Sequence, residues 1–461
     1  MKETLNLTGS NKQVAHQGGR EPIRVQHLPQ EDRTNGWSTI LPPRTAKEPL
    51  AHALKVDWLV IGAGYAGLAA ARRLAQLAPS ASIAVLDAGV VGDNASGRNS
   101  GFAIDVPHNV GSSLDELAKA RHYQRLLAAG VQQLEALVGP HGIACDWRQA
   151  GKYHCAVSPQ AEKTLRHHAD ELDRLGQAHQ FFRRDDLAPR LGTSYFRSGI
   201  YTPGCILLNP AALCRGLADS LPANVALFEN SPVVALDVGS KEVRAQTAGG
   251  GSVVAGRLIL ANNAFAQQLG FFRGETFPMV SFGSLSKPLN EDQQRRYGVR
   301  DSWGLTPANA VVGATMRFTD DRRMLIRQGF LFPKNLKVSQ SQRDHAKRTH
   351  VQVFAARFPN LTDVELEHFW MGTLAVTRNG APRWGAVAPN VHVAAGCNGV
   401  GIVKQTILGT LLVEHALGLD NPLIADALAL GAPTRSPALP FLELGAKAYL
   451  AKEIWAGRKE F

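Results

Sequence analysis

The residues with the clearest chemical role in this sequence are three glycines, Gly62, Gly64 and Gly67, in the order G-A-G-Y-A-G. In a G-x-G-x-x-G turn between a strand and a helix, the first glycine permits the tight turn and the second lets a pyrophosphate approach the backbone. The third lets the helix pack closely, and the helix N-terminus offers free N–H groups and partial positive charge. The pattern therefore predicts a dinucleotide site.

The elements around these glycines complete a β-α-β unit. The run VDWLVI from Val56 predicts a buried strand, residues 68–77 an Ala-rich helix that ends before Pro79, and residues 82–86 a second strand. Asp87 ends the second strand, where its carboxylate can accept hydrogen bonds from ribose hydroxyls. The combination indicates a parallel, buried sheet and a dinucleotide with an unphosphorylated adenosine ribose.

The loop that follows the second strand distinguishes FAD from NAD. Residues 94–102 read NASGRNSGF, which is rich in small, hydroxyl and amide side chains and contains a single arginine. Such a loop suits contact with a pyrophosphate and a flavin edge. On composition alone, a flexible surface loop is the alternative.

The motifs together resemble the D-amino-acid-oxidase-like superfamily of FAD-dependent oxidoreductases, and within it the gamma-glutamylputrescine oxidoreductase group. The resemblance covers residues 35–460 in order and rests on VIGAGYAGLAAARRLA, AVLDAG, NASGRNSGF, RLILANNAF, MRFTDDRRMLIRQG and VHVAAGCNGVGIVK. It implies an α/β protein with a discontinuous Rossmann-like FAD-binding domain and an α+β substrate domain on a large mixed sheet.

The predicted domain boundaries divide the chain into four parts. They are an N-terminal extension (1–54), an FAD-binding domain (55–110, 205–270 and 385–420), a substrate domain (111–204 and 271–384), and a C-terminal tail and helix (421–461). Residues 1 to about 50 lack a sustained hydrophobic period, and in them only Trp37 and the segment 41–43 look able to dock.

Carried over residue by residue, the resemblance implies contacts along the whole cofactor. Asp87 would bind the ribose, Val234 the adenine through its backbone, and the segment after residue 398 the flavin pyrimidine ring. The implied FAD-binding residues are Gly62, Gly64, Tyr65, Ala66, Gly67, Asp87, Ala88, Ser96, Gly97, Arg98, Asn99, Ser100, Gly101, Val234, Ala261, Asn262, Asn398, Gly399, Val400, Gly401 and Ile402.

Two segments depart from the family pattern. The family often has S-G-H-G where this chain has Asn398-Gly399-Val400-Gly401, and it has a histidine before proline where this chain has Leu208-Asn209-Pro210. Both departures lie where flavin and substrate are expected to meet.

The substrate side has fewer signals. Arg317 is predicted to hold a substrate carboxylate in a bidentate pair, with Arg383 and Lys152 as alternatives. His108 follows the flavin loop closely enough to enter the pocket or to attach the flavin covalently. No catalytic residue is assigned, because hydride transfer to a flavin requires a positioned amine rather than a protein base.

Composition limits the other function classes. Lys and Arg exceed Asp and Glu by 11, but the excess is scattered and lacks interleaved aromatics, so nucleic acid is not an expected partner. The five cysteines form no CxxC pair, so no metal site or disulfide framework is expected. With no signal-peptide core and no apolar run long enough to span a membrane, a cytoplasmic protein is predicted.

These observations predict an FAD-dependent enzyme that oxidises a C–N bond of a small amine or amino acid to an imine. Water then hydrolyses the imine to a carbonyl product, with O2 as the expected electron acceptor. Three alternatives stay open: a quinone- or dye-linked dehydrogenase, a non-catalytic flavoprotein subunit, and an oxidase of a modified RNA base.

Overall fold

The structure is a computed structural model that describes residues 22–29, 34–107, 117–309, 311–438 and 440–460. His108 lies outside the described residues. Within them, no helix is both long and apolar enough to cross a membrane.

The described chain contains strands of two to nine residues. In chain order they are β1 (Ile23–Arg24), β2 (Ala53–Ile61), β3 (Ile83–Leu86), β4 (Phe102–Ala103), β5 (Lys152–Ala156), β6 (Gln180–Arg183), β7 (Ser198–Thr202), β8 (Ile206–Leu207), β9 (Val225–Phe228), β10 (Val233–Val238), β11 (Val243–Thr247), β12 (Ser252–Leu260), β13 (Phe277–Leu285), β14 (Trp303–Pro307), β15 (Thr315–Phe318), β16 (Met324–Leu331), β17 (His368–Val376), β18 (Arg383–Ala388) and β19 (Val391–Ala395).

The α-helices connect and cover these strands. In chain order they are α1 (Gly36–Thr39), α2 (Tyr65–Leu77), α3 (Leu117–Val138), α4 (Pro159–Arg174), α5 (Arg184–Leu191), α6 (Pro210–Asp219), α7 (Glu291–Tyr297), α8 (Gln340–Arg357), α9 (Ile402–Ala416), α10 (Pro422–Ala429) and α11 (Phe441–Ala456).

The first large sheet has nine strands, and its centre is parallel. The order is β1-β10-β11-β12-β2-β3-β9, and the end of β12 also pairs with β19, which pairs with β18. The pairs β2·β3, β3·β9, β12·β2 and β12·β19 are parallel. Apolar side chains of β2, β3 and β12 are buried on both faces, as expected for a parallel sheet covered by helices α2 and α9 on one side. The predicted β-α-β unit is confirmed.

The second large sheet has eight strands in the order β17-β13-β16-β15-β14-β5-β7-β6. The sheet is mixed. β14 and β5 are parallel to each other, whereas β14 pairs with β15, and β5 with β7, in antiparallel orientation. Helices α4, α5, α7 and α8 pack on it. The sheet confirms the predicted fold class, an α/β protein with a second region on a large mixed sheet.

The segment before β2 is more integrated than the sequence predicts. Trp37 and Leu50 are buried, and β1 pairs with β10. Glu229 is fully buried and accepts hydrogen bonds from Arg44 Nη1 and from the Lys47 and Val91 N–H groups, at 2.6–2.9 Å. The burial of Trp37 fits the sequence analysis, whereas the burial of Leu50 and the pairing of β1 go beyond it, because these contacts depend on distant partners and give no local periodicity.

Candidate active site

A large cavity of about 690 Å³ lies between the two large sheets. One wall consists of the start of α2, the loop 95–100 and the end of β12, and the other consists of β13, β16 and β17. A smaller cavity adjoins it and shares Gly64, Ser96 and Ala261. The smaller cavity is lined by Gly62, Asp87 and Val233, so the two adjoining cavities include both the glycine turn and the acidic residue predicted to bind a dinucleotide.

The glycine turn has the geometry that the motif requires. Gly62 has φ 105°, in the region that favours glycine, and Gly64 is the N-cap of α2 without a side-chain cap. A Cβ on Gly67 would overlap the Gly62 carbonyl oxygen, so the third glycine is needed for the close approach of helix and turn. A Cβ on Gly64 would meet the Ser96 hydroxyl at 2.5 Å, at the point where both cavities meet.

Asp87 organises the turn as well as lining the smaller cavity. Its carboxylate accepts hydrogen bonds from the Ala63 N–H at 2.7 Å, the Gly89 N–H at 3.0 Å and Asn94 Nδ2 at 2.8 Å. Burial raises its pKa above the ordinary value, and these three donors act against that shift. The carboxylate is therefore held in one position beside the turn.

Two tryptophans fix the loop 94–101, and sequence reasoning missed this role. Trp37 Nε1 donates to the Asn99 carbonyl at 2.8 Å, and Trp370 Nε1 donates to the Arg98 carbonyl at 3.0 Å. Arg98 itself donates to the carbonyls of Asp93 and Met371. The loop is thus held from both sides, and Ser96, Asn99 and Ser100 line the larger cavity.

Arg317 is not placed as a substrate clamp. Its Nη1 donates to the carbonyl oxygens of Ser100, Gly101 and Leu208 at 3.0, 3.1 and 2.7 Å, and the side chain is buried without lining either cavity. Burial lowers its pKa to about 10. In this structure the guanidinium therefore supports the backbone of the cofactor loop, and its contact with substrate stays a prediction.

The two alternative substrate residues also lie away from both cavities. Arg383, on β18, forms an ion pair with Glu275 at 2.9 Å. Lys152, on β5, is buried, and this burial lowers its pKa while the nearby Asp105 acts against the shift. Neither side chain can reach a ligand in the larger cavity without leaving its present position.

In β10, the residue that lines the smaller cavity is one position before the residue predicted to contact adenine. Val233 lines the smaller cavity, whereas Val234 does not. The pairing of β10 with β11 shifts between Val233 and Ala235, and the Val234 carbonyl accepts from the Val25 N–H at 2.9 Å. A bulge of this kind changes which residues face the ligand, and hydrophobic alternation does not reveal it.

The segment between β19 and α9 forms one end of the larger cavity. Its lining residues are Asn398, Gly399, Val400, Gly401 and Ile402, as predicted, and the helix begins without a side-chain cap. Its first-turn N–H groups can therefore stabilise negative charge on a ligand.

Three buried polar atoms at this site have no hydrogen-bond partner among the residues that the structure describes. Gln405 lines the larger cavity with both amide atoms buried and unpaired, and Asn262 lines the smaller one with its Oδ1 buried and unpaired. Because buried polar atoms are normally hydrogen-bonded, these three atoms fit a polar ligand such as a flavin nucleotide. Sequence reasoning missed Gln405, whose burial depends on how α9 packs.

The charged lining of the larger cavity has one sign. Among the residues that the structure describes, no acidic side chain lines it. The charged side chains that line it are Arg98, Lys119, Arg327 and Lys404. Burial lowers the pKa of Lys404 to about 8 and that of Arg327 to about 10. The Lys404 ammonium lies 5.8 Å from the Tyr123 ring centre, and the Arg327 guanidinium lies 4.6 Å from that of Phe330.

Most of the predicted cofactor residues line one of the two cavities. Those that do not are Gly67, Gly97, Gly101 and Val234. The three glycines serve close backbone contacts instead, since a Cβ on Gly97 would overlap the Gly92 carbonyl and one on Gly101 the Leu208 carbonyl.

Comparison with known proteins agrees with this geometry. The family model described as FAD dependent oxidoreductase (DAO) matches residues 57–415. The chain is 26% identical over 395 residues to the "Probable oxidoreductase OrdL" of Haemophilus influenzae, covering 81% of this chain and 86% of that protein. It is 23% identical over 422 residues to the gamma-glutamylputrescine oxidoreductase of Escherichia coli, covering 88% and 95%.

Among solved structures, glycine oxidase from Geobacillus kaustophilus has the same fold. The TM-score is 0.67 at 20% identity, covering 84% of this chain and all of that one. The two large sheets and the cavities between and beside them define the class of protein as a flavin-dependent enzyme. This chain belongs to the DAO family of FAD-dependent oxidoreductases, and FAD is its cofactor.

Proposed function

We propose that this enzyme oxidises the C–N bond of an amine that also carries a carboxylate. The observation that carries the proposal is the charge of the larger cavity, which is lined by the partly buried Arg327 and the buried Lys404, whereas none of the described residues that line it is acidic. A carboxylate would be attracted to this basic lining, whereas a plain diamine would add positive charge to it. The relatives named as gamma-glutamylputrescine oxidoreductase and glycine oxidase support the amine or amino-acid class.

The side chains would divide the work in the following way. Arg327 and Lys404 would bind the carboxylate, and the apolar surfaces of Ile104, Phe330 and Trp370 would exclude water from the amine-bearing carbon. When FAD is bound, it accepts the hydride equivalent from the substrate carbon. Water then adds to the resulting C=N bond and releases a carbonyl compound and ammonia or an amine.

The cofactor would be held by the residues of the two adjoining cavities. Asp87 would accept hydrogen bonds from the ribose hydroxyls, while the turn at Gly64 and the N-terminus of α2 would face the pyrophosphate. Gln405 would hydrogen-bond a polar edge of the flavin, because both of its amide atoms are buried and lack a partner in the described part of the chain.

The test uses Arg327→Ala and Arg327→Lys. Because the planar guanidinium can pair with a carboxylate through two hydrogen bonds, we expect Arg327→Ala to lower kcat/KM for a carboxylated substrate by about 30- to 1,000-fold (2 to 4 kcal/mol), and Arg327→Lys to recover only part of that loss. FAD content should stay normal in both. The matched control is Arg295→Ala, since the Arg295 side chain is 70% exposed and pairs only with the surface residue Asp292.

An unchanged kcat/KM in Arg327→Ala for the best carboxylated substrate would contradict this role of Arg327. Equal losses for the Arg327 variant and for Arg295→Ala would indicate a nonspecific effect.

We also propose O2 as the electron acceptor, with hydrogen peroxide as the reduced product, and the domain boundaries and cytoplasmic location given above remain predictions. Steady-state rates with O2 and with a quinone or dye acceptor separate an oxidase from a dehydrogenase.

A further inference from the structure

Helix α11, near the C-terminus, is exposed over most of its surface and apolar on its outer side. Eight large apolar side chains are exposed among the described residues, and five of them lie on this helix: Phe441, Leu444, Tyr449, Ile454 and Trp455. No residue of α11 is fully buried. The positions of Phe441, Leu444, Ala448 and Trp455 recur at i, i+3, i+7 and i+14, which places them in one stripe along a helix.

This stripe points away from the protein. At 100° per residue, it is centred opposite the partly buried positions Leu442, Ala446 and Leu450. Phe441, Leu444 and Trp455 are 67–69% exposed. We call this outward surface the outer face. It consists of Phe441, Leu444, Ala448, Lys452 and Trp455 on α11 together with Arg458 and Lys459 directly after the helix.

The charges of this segment are separated between the two sides. The acidic side chains face the protein: Glu443 is 18% exposed, Glu453 is partly buried, and Glu460 is buried. The basic side chains are all exposed: Lys447, Lys452, Arg458 and Lys459. Lys447 pairs with Glu443 at 2.7 Å, which leaves the other three to set the charge of the outer face. Over residues 441–461 the formal side-chain charges sum to only +1. Because the acidic side chains face the protein, an approaching surface meets more positive charge than this sum indicates.

Both ends of the helix are attached to the body of the protein. On one side, the Ser436 N–H donates to the Gly274 carbonyl at 2.6 Å. On the other, the Glu460 carboxylate accepts from the N–H groups of Val157 and Ser158 at 3.0 and 2.7 Å, directly before α4. The helix is therefore held with its outer face away from the protein.

We propose that the outer face of α11 docks this enzyme on an anionic phospholipid bilayer. Its exposed Trp, Phe and Leu side chains can enter the boundary between headgroups and acyl chains, and Lys452, Arg458 and Lys459 can contact anionic headgroups. The net charge of +11 adds a long-range attraction to such a surface. A helix that lies in the interface is consistent with the finding that no described helix can span a membrane.

Charge argues against a second copy of the chain as the partner. A two-fold pairing of outer faces would bring together two surfaces that both carry Lys452, Arg458 and Lys459, with no acidic side chain on either outer face to offset this positive charge. A bilayer supplies both the apolar layer and the negative charge that this face lacks.

The experiment is cosedimentation of the full-length holoenzyme with phosphatidylcholine vesicles that contain or lack about 30 mol % phosphatidylserine. We expect binding to the anionic vesicles at low salt, little binding to the neutral ones, and release as salt is raised. The triple variant Phe441→Ser, Leu444→Ser and Trp455→Ser should have a partition coefficient between vesicles and solution that is lower by about tenfold or more. The matched apolar control is Val351→Ser, which removes an exposed side chain from α8.

A charge pair gives a second, independent arm. Lys452→Glu with Lys459→Glu should weaken binding, whereas Lys241→Glu with Lys163→Glu, which changes the net charge equally at exposed sites elsewhere, should weaken it much less. Trp455 provides a direct readout, because it is 69% exposed and brominated lipids should quench its fluorescence. Trp455→Phe should remove that quenching.

FAD content and melting temperature confirm that each variant is folded. No binding to anionic vesicles at low salt overturns the proposal, as does binding that the outer-face variants leave unchanged. If the wild type is instead a dimer without vesicles, and the outer-face variants make it monomeric, the face is a contact between copies and the membrane proposal is wrong.

Discussion

The two large sheets contribute to the active site in different ways. The nine-stranded sheet presents mainly backbone: a glycine turn, a helix N-terminus and a loop held by its own carbonyl groups. The eight-stranded sheet presents side chains, among them Thr315, Arg327 and Trp370. A site made of backbone requires particular residues at fixed local spacing, whereas a site made of side chains depends on which strands become neighbours. The cofactor side should therefore be intolerant of small changes, and the substrate side should accept them with altered specificity.

The largest effect is expected for Gly67→Ala. Since the added methyl group would overlap the Gly62 carbonyl, the turn must move and the enzyme should lose its FAD. The measurement is flavin absorbance per protein after purification. Gly139→Ala is the control, because the nearest atom to its added Cβ lies 3.8 Å away. Normal FAD content in Gly67→Ala would show that the turn does not hold the cofactor.

Arg317→Ala separates the two sides of the site. Arg317 donates to the Ser100, Gly101 and Leu208 carbonyls, and among the described residues only the Gly101 carbonyl has a further donor, the Leu208 N–H. Its removal should therefore lower the melting temperature and FAD retention, with a loss of roughly 2 to 4 kcal/mol. Arg327→Ala should show the opposite pattern, with normal flavin and poor turnover. A normal melting temperature and FAD content in Arg317→Ala, together with a raised KM, would restore Arg317 as a substrate residue.

Asp87→Ala should have a smaller effect on the same side. It removes the acceptor of three hydrogen bonds in the turn, and we expect the Kd for FAD to rise by about 10- to 100-fold. Titration of the apoprotein with FAD measures this change. An unchanged Kd would exclude both the ribose contact and the organising role of Asp87.

Outside the active site, an effect is expected on stability in acid. His350 is fully buried in the neutral form: its Nδ1 lies 2.8 Å from the Ser284 hydroxyl and its Nε2 lies 3.2 Å from the Gln328 carbonyl. Burial lowers its pKa from 6.5 to about 4, so between these values the unfolded chain binds a proton that the folded chain does not. Stability should therefore fall as pH drops from about 6.5 to 4, by up to about 1.4 kcal/mol per pH unit.

Urea midpoints across this pH range measure the loss. His350→Gln should reduce the slope, whereas His345→Gln, at an exposed position of the same helix, should leave it unchanged. A slope that does not depend on His350 would place the acid sensitivity elsewhere.

The residues of the cofactor side can be proposed from the sequence because their signals are local. The turn at Gly62, the strand ending at Asp87 and the loop before α9 all read directly from short motifs. On the substrate side, the structure places Arg317, Arg383 and Lys152 outside the lining of both cavities. The sequence could not indicate this, because a charged residue in a strand does not show whether it faces a cavity, a carbonyl or a partner charge. The roles of Trp37, Trp370 and Gln405 depend on contacts between distant segments and left no local signal.

The most direct measurement of the proposed function is anaerobic bleaching of the bound flavin with matched pairs of amines that differ only in a carboxylate. The cationic cavity predicts that the carboxylated member of a pair bleaches the flavin at lower concentration and faster, and that the preference declines in Arg327→Ala. If plain alkyl diamines bleach the flavin as well as their carboxylated counterparts do, the substrate is not selected by charge and the assignment of Arg327 and Lys404 is contradicted.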